Sequence, residues 1–335
     1  MNFHDDNTTK DRRARRSWLP KGTALLIAAL AVLFYGRILV RHFGEIPVMT
    51  WDLRAVIASV ISVILATLIV VIGGVIWLYL LRDRGMSIRW SQAVYIFSVA
   101  QFGKYLPGNI GHYLGRVAMA RDAGVPVTVS LGTMLLETLW GTAVATGIAV
   151  VALLLYGGTL TVDTPWHLGP LPTLLLALSI LVLPQLGTAA LNTCLPSIAR
   201  RLTGEGPIAQ PKVFTALGTA LLFLMCFIVM GLIVKLQLLG LFGSAVGTLP
   251  QLTCLFALAW MGGYIVPGAP GGLGVREALL VMLLTPLLGA GTALGLSITL
   301  RITTTLGDAM ACLLGLAVQA HTKPKNAVRT RKTSG

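Results

Sequence analysis

The stretch Gly103-Lys104-Tyr105-Leu106-Pro107-Gly108-Asn109-Ile110-Gly111, continuing to Arg116, returns 160 residues later as Gly263-Tyr264-Ile265-Val266-Pro267-Gly268-Ala269-Pro270-Gly271, continuing to Arg276. Both copies follow the pattern G-x-x-[LV]-P-G-x-x-G-x-x-x-x-R. Each places helix breakers and a cation inside an otherwise apolar region. Irregular backbone at bilayer depth is tolerated only where protein buries it or where it lines a wet cavity. The matched pair is therefore the leading candidate for a binding site.

The surroundings say that the solvent is lipid. Of 335 residues, 55% are hydrophobic and only 11% charged, against about 25% charged in soluble domains. The net charge of +14 raises the question of nucleic acid, but its distribution answers it. Six of the 26 Lys and Arg residues fall in 1–21, five in 319–335 and seven in the short stretches 82–89, 121–126 and 192–212. Clustering in tails and short loops is the positive-inside signature, and no recognition helix or aromatic-basic module points to nucleic acid. Basic clusters of this kind also touch anionic lipid head groups. Cys194, Cys226, Cys254 and Cys312 show no C-x-x-C spacing, and the five histidines form no H-x-x-x-H pair. Neither a disulfide frame nor a metal site is expected, and no cofactor.

A span needs about 20 apolar residues, which predicts full helices near 22–40, 55–81, 127–156, 170–191, 213–235 and 292–318. The run at 22–40 is long for a signal-peptide core and is read as a retained first span. Regions 90–121 and 251–288 are instead broken near the middle by Pro-Gly, since proline and the residue before it oppose helix and glycine ends one readily.

Charge placement decides whether those regions cross or turn back. A cytoplasmic basic tail puts Arg82, Arg84, Arg89, Arg121, Arg200, Arg201 and Lys212 inside, and the Lys- and Arg-free loops 157–169 and 236–250 outside, provided both regions are hairpins. Only Arg41 and Arg54, near the first external loop, depart from the rule. The expected fold is an all-α integral membrane protein with six full transmembrane helices and two re-entrant broken-helix hairpins. Units 55–156 and 213–318 form an inverted repeat, an architecture of secondary transporters that bind substrate near mid-membrane. The domain plan is a basic cytoplasmic tail at 1–21, one membrane domain at 22–318 and a basic cytoplasmic tail at 319–335.

Lys104, Arg116, Arg276 and Arg301 are the candidate head-group ligands, with backbone at Gly108, Gly111, Gly271, Gly272 and Gly274. Bare glycine backbone, a restarting helix and arginine together favour phosphate or another anion. A plainer reading is tight packing by the glycines and snorkelling by the arginines. Glu137, Glu277 and Asp308 are expected to face those cations. They are either fixed counter-charges or carboxylates that protonate and couple transport to protons. Gln101, Asn109, His112 and Tyr113 are candidates to line the cavity. Trp77, Trp90, Trp166 and Tyr156 are read as interface anchors. Gly271-Gly272-Leu273-Gly274 has no G-K-[ST] and no strand before it, so it is not a nucleotide loop.

Phe102-Gly103-Lys104-Tyr105-Leu106-Pro107-Gly108 with Gly115-Arg116, and Val266-Pro267-Gly268-Ala269-Pro270-Gly271-Gly272-Leu273-Gly274-Val275-Arg276-Glu277, resemble the two signature segments of the lysylphosphatidylglycerol synthase transmembrane (flippase-like) family. Glu137 falls where that family places an intramembrane acid, and the resemblance spans roughly residues 20–320. It implies a bacterial inner-membrane protein that moves or binds an anionic lipid, a phospholipid or a polyprenyl-phosphate-linked lipid, in making envelope lipids or glycans. Lipid-synthesis enzymes or glycosyltransferases are the partners it implies. The soluble aminoacyltransferase domain of larger relatives is expected to be absent, so no catalytic residue is assigned. The alternative is a membrane-embedded glycosyl- or aminoacyl-transferase acting on a lipid acceptor.

Overall fold

The computed structural model describes residues 33, 35–37, 39–49, 51–105, 111–156, 170–203, 207–265 and 274–322, and the structural statements below concern these. Among them all regular structure is helical. Helix α1 comprises the helical residues 33, 35–37 and 39–42, and a 3-10 turn follows at Phe43–Glu45. Helix α2 is Leu53–Asp83, started by the Asp52 carboxylate, which accepts from the Ala55 N–H at 2.8 Å. Then come α3 (Trp90–Gln101), α4 (Gly111–Asp122), α5 (Val127–Tyr156), α6 (Pro170–Ser179), α7 (Leu183–Cys194) and α8 (Pro196–Thr203). The second half holds α9 (Val213–Leu241), α10 (Leu249–Ile265), α11 (Val275–Leu288) and α12 (Ala290–Thr322).

Five segments among the described residues are long and apolar enough to span a bilayer: Leu53–Asp83, Val127–Leu154, Leu174–Cys194, Val213–Leu241 and Ala290–His321. The 31 residues of α2 reach about 46 Å at 1.5 Å per residue, beyond the roughly 30 Å hydrocarbon core. Their outer faces carry Leu, Ile, Val and Phe, for example Ile64, Phe214, Leu217 and Leu313. Apolar faces of that extent require lipid as solvent, so the chain is a multi-pass membrane protein. The sixth span expected at 22–40 lies mostly outside the described residues.

The segment expected as one helix at 170–191 is interrupted. A 3-10 turn at Ile180–Val182 separates α6 from α7, whose first turn contains Pro184. Proline offers no N–H to the carbonyl four residues back and its ring crowds that carbonyl, so the turn tightens. A further helix, α8, occupies the loop that the sequence reading left without structure. That loop is stapled at both ends. The Asn192 amide exchanges hydrogen bonds with the backbone of Ile208 (3.0 and 2.7 Å), and the Asp83 carboxylate accepts from Thr215 Oγ1 (2.9 Å) and the Lys212 N–H (3.2 Å).

The chain doubles back within both proline-broken regions. A Cβ on Gly103 would lie 2.6 Å from the Gly111 carbonyl carbon, and one on Gly115 would lie 3.7 Å from Ala100 Cβ, so α3 and α4 run antiparallel. In the same way Gly263 abuts Arg276, where a Cβ would lie 3.2 Å from Cα, and Gly262 abuts the Leu279 side chain, setting α10 against α11. Pro107 and Pro267, with Gly108, Gly268, Gly271 and Gly272, lie outside the described residues.

The packing pairs the two halves. Helix α2 lies along α9, α3 packs on α12, and α10 packs on α5. Within each half the first long helix also packs on the first hairpin arm, α2 on α3 and α9 on α10. Small residues make these contacts close, as bilayer helices require when lipid supplies no hydrophobic drive between them. Gly307 of α12 sits on Ala66 of α2, and Thr67 Oγ1 donates to the Gly307 carbonyl at 3.3 Å. Trp77 corrects the reading as an interface anchor. It is fully buried and donates its indole N–H to Thr133 Oγ1 at 3.1 Å, whereas Trp90 is exposed. Tyr156 lies on α5 with no described side chain, and Trp166 lies outside the described residues.

A methyl group on Gly307 would lie 2.6 Å from Ala66 Cβ and 3.0 Å from its carbonyl carbon. Gly307→Ala is therefore expected to destabilise the purified protein by about 1–3 kcal/mol, the usual cost of overpacking. Gly132→Ala, on α5 with open space around it, should instead raise stability by roughly 0.5–1 kcal/mol. Unfolding midpoints of the two variants in detergent check the contrast.

Candidate functional site

The second hairpin builds its part of the site around one carboxylate. Gly274 caps α11 with φ 85°, a left-handed backbone that glycine accepts without strain. This turn brings the Gly274 N–H to Glu277 Oε2 at 2.8 Å. The other oxygen, Oε1, accepts from Arg276 Nη2 at 3.0 Å and from Arg301 Nη1 of α12 at 3.4 Å. Glu277 is buried, so all three contacts form in low dielectric. The Gly274 amide, expected to face a bound anion, is thus used by Glu277.

The first hairpin supplies two further pairs. Lys104 Nζ meets Asp308 Oδ2 of α12 at 2.6 Å. Tyr105 shares that carboxylate through its hydroxyl (2.5 Å) and also reaches Thr305 Oγ1 (3.3 Å). Its ring lies 5.3 Å from Lys104 Nζ and 5.5 Å from the Arg301 guanidinium, within the range of cation–π attraction. One turn into α4 and beyond, Arg116 Nη1 donates to Glu137 Oε2 of α5 at 2.5 Å. Its guanidinium stacks 4.2 Å from the Phe97 ring and 5.4 Å from Trp77.

Burial separates the four predicted cations. The Arg116 side chain keeps 3% of its area exposed, whereas Lys104, Arg276 and Arg301 keep 21%, 16% and 18%. Arg116 is enclosed by its carboxylate and two rings; the other three are more exposed and line a cavity.

The cavity has a volume of about 350 Å³. Lys104, Arg116, Arg276, Arg301, Glu137 and Asp308 all line it, and Glu277 stands behind Arg276 and Arg301. The remainder of the wall is mainly apolar, from α2 (Ile69, Val70), α9 (Phe227, Met230) and α10 (Phe256). Gln101, His112 and Tyr113 line it too. Gly111 contributes a close backbone contact with Gly103 at the hairpin. Gly108, Gly271, Gly272 and Asn109 lie outside the described residues. Sequence reasoning passed over Tyr105, Thr138, Trp260 and Tyr264, which also line the cavity. Two of them were legible in principle, because Tyr105 and Tyr264 sit inside the repeated stretches. Among the described residues no group of three or more His, Cys, Asp or Glu is placed to hold a metal ion.

Among the described residues four cations stand against three carboxylates, so the cluster with all seven ionised carries one excess positive charge. A cavity in lipid with that imbalance favours an anion, and its apolar remainder favours an anion with a hydrocarbon part.

The family described as lysylphosphatidylglycerol synthase TM region matches residues 22–312, a range that holds both hairpins and all the charged residues of the cavity. No curated protein matches the chain. The buried pair generates its own expectation. Arg116→Ala strands the Glu137 carboxylate and should cost about 3–5 kcal/mol, as should Glu137→Ala, which strands the guanidinium. The Arg116→Ala/Glu137→Ala double variant should lose much less than the sum of the two. A double-mutant cycle on unfolding in detergent measures that coupling.

Proposed function

This chain belongs to the lysylphosphatidylglycerol synthase TM region family, and from that premise we propose that it binds an anionic lipid in the central cavity and carries its head group across the bilayer. The observation that bears the reading is the composition of one cavity wall. Basic side chains from both hairpins and α12 meet there, while α2, α9 and α10 supply apolar surface. A phosphate-bearing head group fits the first part and an acyl or prenyl chain the second. Lys104, Arg276 and Arg301 are the more exposed cations of that wall and would contact the phosphate, and Glu137, Glu277 and Asp308 hold the cations in place. The lipid is a phospholipid or a polyprenyl-phosphate-linked lipid, used in making envelope lipids or glycans together with enzymes of lipid synthesis.

The reading takes both antiparallel hairpins as re-entrant, entering the bilayer from opposite sides within inverted repeats. Two observations support it. The basic loops fall on one side only under that arrangement. The packing of α3 on α12 also has its counterpart in the packing of α10 on α5, as a two-fold axis in the membrane plane requires. The membrane is the bacterial inner membrane, and both termini are cytoplasmic.

Transport is tested in vesicles reconstituted with the purified protein, using fluorescent phospholipid and a leaflet-resolved quench. Arg276→Ala and Arg301→Ala should each slow translocation about tenfold or more, the loss expected from removing a charge-assisted hydrogen bond. Wild-type rates in both variants would sink the proposal, and turnover of a sugar or aminoacyl donor would favour a transferase. Topology is tested by single cysteines in a cysteine-free background, labelled in inverted and right-side-out vesicles. Met86→Cys and Ala123→Cys should react from one side, and Ser244→Cys and Ala290→Cys from the other. Labelling of positions 86 and 123 from opposite sides would show the first broken region to be an ordinary span.

A further inference from the structure

Away from the cavity, the chain makes an abrupt change of direction where one span ends. Leu174–Cys194 is long and apolar enough to cross a bilayer, so its last residues lie at a membrane surface. Pro196 disfavours helix at Leu195, which ends α7. The same proline then opens α8, where its missing N–H costs nothing. The Leu195 carbonyl accepts from the N–H groups of Ile198 and Ala199, both at 3.0 Å, and so starts the new helix.

Helix α8 has three sides with different surroundings. Ala199 is buried in one apolar cluster with Ile208, with Ile72, Ile76 and Leu80 of α2, and with Leu136 of α5. That contact fixes how the helix is turned. Leu195 and Ile198, three residues apart and therefore on one face, stay 46% and 44% exposed. Arg200 lies about 200° round the helix from Ile198. It is exposed, and its Nε donates to the Pro196 carbonyl at 3.3 Å. Arg201 takes the next position, about 100° further on. Neighbouring helix ends add cations, with Arg84 donating to the Ala209 carbonyl and the exposed Lys212 beside Asp83.

An apolar flank is unfavourable in water, and a cationic flank is more so in hydrocarbon. Both conditions are met when an amphipathic helix lies in the plane of the interface. We propose that α8 is such a helix, docked on the head groups of an anionic lipid leaflet. Leu195 and Ile198 enter the acyl boundary, and Arg200 and Arg201 meet the lipid phosphates. Lipid is the occupant because the exposed flank continues that of α7, where Leu183 and Leu186 are also exposed. The basic side is the charge complement of an anionic surface. Among the described residues none of α8 lines the cavity, so this surface is independent of what the cavity binds.

The full-length protein is reconstituted into nanodiscs of phosphatidylcholine, with or without phosphatidylglycerol. Nitroxide labels are introduced by Ile198→Cys and Arg200→Cys in a cysteine-free background. Power saturation then compares collision with oxygen, which concentrates among acyl chains, and with a neutral nickel chelate, which stays in water. The label at 198 should favour oxygen several-fold, and the label at 200 the chelate. In the unlabelled wild type, amide hydrogen exchange over 197–203 should slow about fivefold on adding phosphatidylglycerol. That is the factor given by about 1 kcal/mol for one basic residue at an anionic surface. Arg200→Gln/Arg201→Gln should lose the slowing. Equal chelate access at 198 and 200 overturns the docking. Exchange indifferent to phosphatidylglycerol overturns the proposal in favour of apolar anchoring alone. The wild-type exchange needs no variant, so a labelled chain that failed to fold would leave the comparison decisive.

Discussion

Charge buried in hydrocarbon has to be paired, and the interior of this protein is arranged around that requirement. Glu277 accepts from the Gly274 amide, Arg276 and Arg301. Asp308 answers Lys104 and Tyr105, and Glu137 answers Arg116. Each pair joins a hairpin to a long helix or ties the start of a hairpin arm to itself. The desolvation cost of an ion in such a setting is several kcal/mol even after relaxation. Opening any one pair therefore costs on the scale of a whole domain's net stability. The pairs consequently act as fasteners for the hairpins as well as charge lining for the cavity.

The hairpins are made possible by residues with almost no side chain. Gly103 against Gly111, and Gly263 against Arg276, permit backbone contact that a methyl group would block. The same logic repeats between long helices at Gly307 on Ala66. In water, such contacts would be reinforced by expulsion of solvent from apolar faces. In lipid, close van der Waals approach and interhelical hydrogen bonds carry more of the association. Glycine is abundant, with 37 residues, and those at Gly103, Gly263 and Gly307 serve that packing.

Arg116 shows how one residue type serves two purposes in the two hairpins. It and Arg276 occupy matching places in the repeated stretch, yet Arg116 is sealed between Glu137, Phe97 and Trp77 while Arg276 faces the cavity. A planar guanidinium can satisfy a carboxylate in its plane and aromatic rings on its faces at the same time, which explains its tolerance of near-complete burial. The two halves therefore resemble each other in helix order and packing while their charged contacts differ. The charged lining of the cavity accordingly differs between the two hairpins.

Membrane residence and helical class were legible in composition, because lipid demands long apolar helices and few charges. The broken regions were legible too, since Pro107-Gly108 and Pro267-Gly268 disfavour helix wherever they fall. The roster of charged residues around the cavity could be assembled from the rarity of ionisable groups in apolar segments. What tertiary structure alone decided was which of them meet. Lys104 and Asp308 are 204 residues apart, and no local periodicity encodes their contact. The burial of Trp77, which sits near a helix end but lies under Arg116, and the capture of the Gly274 amide by Glu277 were likewise decided by packing. Sequence spacing reports what a helix can present on a face, whereas the partner across that face depends on how the two halves dock.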